Sequence, residues 1–165
     1  MHINPDHFLQ TPTGRVVTAE RNALAWRQCR ETLEAALADS PRGIRVFLLV
    51  GAQGAGKTRC AQSILAHCPD AIVFDAILVC RDERAAILQT ALRHGARVIA
   101  VVLDTPLDEC IARNARRPPD EVVAEQAIRN VHAAIEWPTL EEGFHAVVAA
   151  SDTDLFQAVL LDRSA

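Results

Sequence analysis

The octapeptide Gly51-Ala52-Gln53-Gly54-Ala55-Gly56-Lys57-Thr58 fits the spacing G-x-x-x-x-G-K-[ST]. Its setting narrows the chain's options further. Residues 44–50 before it form a short, nearly continuous apolar run, which suits a strand buried on both faces of a parallel sheet. Residues from about 57 to 67 behind it carry a helical pattern. A buried strand, a glycine-rich turn and a helix in that order gather successive backbone N–H groups into one anion-binding concavity. The positive end of the helix lies beside it. Side chains at Gly54 and Gly56 would obstruct the close backbone approach this needs.

The rest of the chain repeats the alternation of strand and helix. Further apolar runs cover 71–80, broken by Asp75, then 97–103 and 146–150. Between them lie amphipathic stretches. One starts at Asp82 as a cap and closes at Gly95. Another starts with Thr105 as cap and Pro106 as first helical residue. A third starts at Asp120, and a terminal one at Asp152 runs through Leu155, Val159 and Leu160. Such alternation predicts an α/β fold with an open, mostly parallel sheet. Residues 1–17 are polar, with Pro5, Pro12 and Gly14, and read as an irregular lead-in. From Thr18 the residues Trp26, Cys29, Leu33 and Leu37 recur at helical steps, and Ser40-Pro41-Arg42-Gly43 ends that helix. Residues 1–43 are therefore expected as an N-terminal extension, because one helix cannot bury a core, and 44–165 as the domain.

Composition excludes several classes. Net charge is −4 over 165 residues, aromatics are 4% and Tyr is absent, which disfavours a basic, base-stacking nucleic-acid binder. A local basic patch stays open. The start of the chain lacks a basic stretch followed by an apolar run, and no apolar stretch reaches the ~20 residues of a membrane span. The five cysteines include no Cys-x-x-Cys pair and read as small buried hydrophobes in a reducing cytoplasm. The six histidines show no metal-ligand spacing.

The octapeptide is a Walker A phosphate loop. Gly51, Ala52, Gln53, Gly54, Ala55 and Gly56 offer backbone amides to phosphates, Lys57 reaches the β- and γ-phosphates, and the Thr58 hydroxyl can ligate Mg²⁺. Asp75 is the foremost carboxylate, since an isolated Asp in an apolar run must be paired, hydrogen-bonded or metal-bound. It would activate an acceptor hydroxyl or help hold Mg²⁺. Asp104 is a weaker candidate that more simply supports the next helix start. Arg113, Arg116 and Arg117 form the densest cationic cluster. They are read either as cations for a moving phosphoryl group or as a solvated helix face.

With these residues laid out, the chain resembles P-loop kinases of the polynucleotide-kinase-like and zeta-toxin-like group, over about 46–148. The resemblance rests on Val101-Val102-Leu103-Asp104-Thr105-Pro106-Leu107-Asp108-Glu109-Cys110 followed by Arg113-Asn114-x-x-Arg117, on Pro119-Asp120-Glu121-Val122-Val123, and on Trp137-Pro138-Thr139-x-Glu141-Glu142-Gly143-Phe144. It implies the three-layer α/β/α fold of P-loop NTPases with a helical lid around 107–137. It also implies ATP and Mg²⁺ as cofactors, and contacts from Arg113 and Arg117 to the donor phosphates. Relatives carry an acidic substrate-binding segment between the Walker A helix and the next strand. Here only Cys68-Pro69-Asp70 stands there. Asp75-Ala76-Ile77-Leu78 lacks the polar pair of the family's Asp-Ala-Thr-Asn, although Arg81 and Arg84 keep its later arginine spacing. The donor half is therefore expected to be intact and the acceptor half shortened. The expected activity is transfer of the ATP γ-phosphate to a hydroxyl of a small molecule, nucleoside or polynucleotide. Arg81, Arg84 and the lid are a conceivable groove for the last. The alternative is a catalytically weak nucleotide-binding module, with Trp26, Cys29, Leu33 and Leu37 docking a partner or a second copy. No guanine-reading Asn-Lys-x-Asp is present.

Overall fold

A computed structural model describes residues 1–12 and 14–161. Five parallel strands form the central sheet: β1 (His2–Ile3), β4 (Arg45–Val50), β5 (Ile72–Asp75), β6 (Arg97–Val102) and β7 (Ala146–Ala149). Their spatial order is β1-β5-β4-β6-β7. The strand leading into the Walker A loop, β4, is thus central, with β5 on one side and β6 on the other. Helices α2 (Ala19–Ala38), α3 (Lys57–His67), α4 (Arg81–Arg93), α5 (Leu107–Asn114), α6 (Glu125–Ala134) and α7 (Thr153–Leu161) cover it, and α1 (Pro5–Leu9) is one short turn near the start.

The two-residue period of the strands sorts their side chains into two cores. Val46, Leu48, Phe74, Val98 and Ala100 pack on one face against Cys29, Leu33 and Leu37 of α2 and Ile87, Leu88 and Ala91 of α4. Phe47, Leu49, Val73, Ile99 and Val101 pack on the other face against α3, α5, α6 and α7 through Ala61, Ile64, Cys110, Ile128 and Leu160. Both faces are covered, which is why the strands read as unbroken apolar runs. The result is the three-layer α/β/α arrangement with a parallel sheet expected of a P-loop NTPase domain.

The expected irregular lead-in over 1–17 is instead ordered structure. Residues His2 and Ile3 pair with Val73 and Phe74 of β5 and make the sheet edge. Ile3 is 1% exposed and anchors that edge in the α2–α4 core. Asn4 caps α1, and a two-stranded hairpin, β2 (Gln10–Thr11) with β3 (Gly14–Arg15), leads to α2. Residues 1–43 so add an edge strand and a covering helix to the sheet formed by the later chain. Cys29, Leu33 and Leu37, considered for docking a partner, are spent on that packing at 0–2% exposure.

Three expected helix starts shift. The helix after β5 begins at Arg81 with Cys80 as its cap, not Asp82. Glu83 Oε2 accepts from the Val79 and Cys80 amides at 2.7 and 3.2 Å and takes the role a side-chain cap would have had. Helix α5 begins at Leu107 with Pro106 in extended geometry, because Thr105 Oγ1 donates instead to the Ala55 carbonyl at 2.9 Å. Asp120 lies in a single tight turn, Pro119–Glu121, and α6 starts only at Glu125. The Asp120 carboxylate accepts from the Arg15 amide at 3.1 Å.

Candidate functional site

Every strand of a parallel sheet ends on the same side, and ligands bind where neighbouring strands diverge there. The Walker A loop leaves the carboxyl end of β4, and β5 ends at Asp75 rather than running on to Cys80. Thr58, in the first turn of α3, donates from Oγ1 to Asp75 Oδ2 at 3.0 Å. Two residues 17 apart in sequence thus become one polar pair at the phosphate end of the cleft.

The loop is held from several directions. Lys57 Nζ donates to the carbonyls of Gly51 and Ala52, both at 2.9 Å, so the ammonium lies back across the loop. Arg113 Nη1 donates to the Ala55 carbonyl at 3.2 Å and also pairs with Glu109. Gly54 and Gly56 have φ of +79° and +100°. Gly54 presses so closely on α5 that a Cβ there would sit 2.2 Å from the Cys110 carbonyl oxygen. Among the described residues, the amides of Gln53, Gly54, Gly56, Lys57 and Thr58 donate to no protein acceptor. They are the free donors an anion nest requires.

A cavity of about 750 Å³ opens over this loop. One wall carries Gln53, Gly54, Gly56, Lys57, Thr58, Arg113 and Arg117. Buried Asn114 bonds both polar groups of Val123, at 2.8 and 3.1 Å, and so fixes the turn that bears Arg117. Gly51, Ala52 and Ala55 do not line the cavity; they are buried and set the loop's shape. Arg116 is exposed away from the cavity, as is Trp137. Asp104 accepts from Ser151 Oγ at 3.0 Å, not from the start of α5.

Much of the remaining lining lies far from the loop in sequence. It comes from the first thirty residues: Asn4, Pro5 and Asp6 after β1, then Asn22, Trp26 and Arg30 of α2. Ile77, Asp82, Glu83 and Ala86 complete it. Arg15 ties this segment to the turn Pro119–Glu121, pairing with Asp6 at 2.5 Å and donating to the Glu121 carbonyl at 3.3 Å. The only advance signal was the isolated polar–apolar alternation of His2-Ile3-Asn4. Arg84, considered for a nucleic-acid groove, is fully buried. It forms a two-point pair with Glu142 at 2.9 and 2.7 Å and caps the carbonyls of Leu78 and Glu136. Its role is to lock α4 to the segment before β7.

Electrostatics sharpen the picture. Asp75 is 2% exposed, and burial works against its charge. Bonds from His2 and Thr58 and the nearby positive charge of Lys57 outweigh burial and hold its carboxyl below the usual range. Burial pushes the Lys57 ammonium down, opposed by Asp75 and reinforced by Arg117. Phosphate oxygens would reverse that cost by supplying the missing counter-charge. Mg²⁺ keeps several waters and takes one or two protein oxygens plus phosphates, so a hydroxyl and one carboxylate are a fitting donor set. Among the described residues no cluster of three His, Cys, Asp or Glu forms a self-sufficient metal cage. No helix among them is long and apolar enough to cross a membrane.

A family model described as an AAA domain matches residues 68–138, less than half of the chain. The matched stretch runs from just after α3 through α6 and includes Arg113 and Arg117. It lies wholly outside the octapeptide 51–58, so the loop and the match are separate observations. No curated protein matches the chain. Loop, sheet order and family match agree on a nucleotide-binding P-loop domain.

Proposed function

We propose that the chain is an ATP-dependent kinase of the polynucleotide-kinase-like group, passing the γ-phosphate to a hydroxyl acceptor. The observation that carries this reading is the cavity's shared lining, part from the phosphate loop and part from the first thirty residues. A hydrolase needs room for the triphosphate and a water. This cavity is also lined by Asp6, Asn22, Trp26 and Arg30, side chains outside the phosphate loop that could meet an acceptor.

On this reading the loop amides and Lys57 hold the donor, and Arg113 and Arg117 stabilise charge on the moving phosphoryl group. Thr58 and Asp75 would hold Mg²⁺, which supplies charge neutralisation on the phosphates. Asp75 Oδ2 already accepts three donors, which leaves it unsuited to taking a proton from an acceptor. Asp6, which lines the same cavity and is paired with Arg15, is the carboxylate we assign to that task. Little base strength is demanded, because phosphoryl transfer relies chiefly on positioning and electrostatic stabilisation. Residues 107–137 act as a lid over the donor, and closure excludes water.

The reading of a catalytically weak module rested on a missing acceptor segment between α3 and β5. Residues from the first thirty line the cavity beside the phosphate loop, which supports the kinase reading instead. The test is transfer of labelled γ-phosphate to a panel of nucleosides, oligonucleotides and sugars, beside calorimetry with Mg²⁺-ATP. Transfer to one class is expected, with ATP uptake lost in Lys57→Ala. Uptake without transfer to any acceptor would leave the module. Undiminished uptake by Lys57→Ala would remove both readings.

A further inference from the structure

Asp75 Oδ2 receives three bonds, and two come from the far end of the sequence. His2 Nε2 lies 3.1 Å from it and Asn4 Nδ2 2.9 Å, beside the 3.0 Å bond from Thr58. A carboxylate oxygen only accepts, so the imidazole proton here is on Nε2. No donor among the described residues reaches Oδ1. Asp75 lines the cavity, and the atom left open is the one able to face a metal-bound water or a cation.

The arrangement follows from strand geometry. His2 and Asn4 are two residues apart and turn to the same side of β1 as it runs out, while Ile3 between them turns into the apolar core. Asn4 is fixed at both ends of its amide. Its Oδ1 accepts from the Asp6 amide at 2.8 Å as the cap of α1, which obliges Nδ2 to point at Asp75. The His2 ring is steadied edge-on against His7, with centroids 4.9 Å apart. Asn4 is 8% exposed, and the His2 side chain 17%. A solvated surface pair would not be enclosed in this way.

Resting on the metal role given to Asp75 above, we propose that His2 and Asn4 are positioning residues for the magnesium side of the site. They pin Asp75 Oδ2, hold the carboxylate plane and keep Oδ1 free. Neither belongs to the phosphate loop. The edge strand thereby makes metal affinity depend on a segment more than forty residues before the loop. Partners that orient a metal-ligating carboxylate typically contribute about tenfold to a hundredfold in metal affinity.

The experiment is calorimetric titration of ATP at a series of Mg²⁺ concentrations and in EDTA, on the full chain. The double variant His2→Ala/Asn4→Ser removes both donors to Asp75. Ser still caps α1, so the local fold has no reason to change. The half-saturating Mg²⁺ concentration should rise at least about tenfold. ATP affinity in EDTA should stay within about twofold, since the phosphate loop is untouched. His2→Gln, which can replace the Nε2 donor, should recover part of the Mg²⁺ response. Ile3→Ala should lower the thermal midpoint but leave the Mg²⁺ dependence alone. A double variant with parental Mg²⁺ dependence overturns the proposal. So does an equal loss of affinity in EDTA, which would mean the segment acts only through general packing. A parent chain whose ATP uptake ignores Mg²⁺ fails earlier, and takes the metal role of Thr58 and Asp75 down with it.

Discussion

Gly54 and Gly43 offer a matched pair of perturbations. Both have positive φ, +79° and +84°, so alanine at either strains the backbone alike. The left-handed conformation costs an L-residue about 1–2 kcal/mol, offset by about 0.4–1 kcal/mol from a stiffer unfolded chain. Their surroundings differ completely. A Cβ on Gly43 meets nothing within 4 Å, whereas one on Gly54 sits 2.2 Å from the Cys110 oxygen and 2.9 Å from its carbonyl carbon. A carbon–oxygen contact settles near about 3.3 Å, so loop and α5 must part by roughly 1 Å. Both are backbone, and neither can rotate away. Overpacking of this kind adds about 1–3 kcal/mol. Gly43→Ala should therefore cost about 1 kcal/mol and Gly54→Ala about 2–4 kcal/mol. At about 3 °C per kcal/mol for a chain of this size, thermal midpoints should fall by about 3 °C and about 6–12 °C. Calorimetry should separate them further. Gly54→Ala displaces the helix that carries Arg113 and should weaken ATP binding, while Gly43→Ala should not. Equal midpoints for the two variants would refute the claim that the phosphate loop is wedged against α5.

Arg84→Ala strands the Glu142 carboxylate in a buried setting and should cost about 3–5 kcal/mol by urea unfolding. Arg84→Met/Glu142→Leu should recover much of that loss, and a double variant no better than the single would contradict the account of the pair. The depressed carboxyl of Asp75 gives stability that is fully present above its unfolded value near about 3.9 and fades as pH falls through the lower folded value. The stability gap between parent and Asp75→Asn should then be constant above about pH 5 and narrow steadily below about pH 4. A gap unchanged down to pH 3 would sink that assignment. Burial raises the Cys60 thiol to about 11. Its alkylation at pH 8, followed by mass spectrometry, should run about a hundredfold slower than that of a model thiol of pKa 9.

What was legible in the sequence was what lies close together along it. The phosphate loop spans eight contiguous residues, and its strand and helix adjoin it, so pattern and setting could be read at once. Asp75 stood out because a lone carboxylate in an apolar run demands a partner, and Thr58 proved to be one. Arg84 was misread because its burial depends on Glu142, 58 residues later, while its own neighbourhood looks solvated. Thr105 had the chemistry of a cap but found the Ala55 carbonyl, 50 residues back, the better partner. The N-terminal wall is the extreme case. An edge strand of two residues is too short for any period to show, and its partner in the sheet lies some seventy residues away.

That distance also explains why the acceptor half of the cleft was expected to be shortened. In the kinases the chain resembles, that half comes between α3 and β5, where here only Cys68-Pro69-Asp70 stands. A parallel sheet does not require neighbours in space to be neighbours in sequence, and its edge position can be filled from either direction along the chain. Here β1 reaches the edge from before the loop and brings Asn4, Asp6 and the start of α2 to the open side of β5. The phosphate loop is thus encoded in one place, and much of the remaining cavity lining in another. The register His2↔Val73 and Ile3↔Phe74, with the bonds of His2 and Asn4 to Asp75, brings the two together. Under the proposed function, substitutions at Asn22, Trp26 and Arg30 are accordingly expected to change acceptor choice, and those at His2 and Asn4 the metal response, without disturbing the phosphate loop.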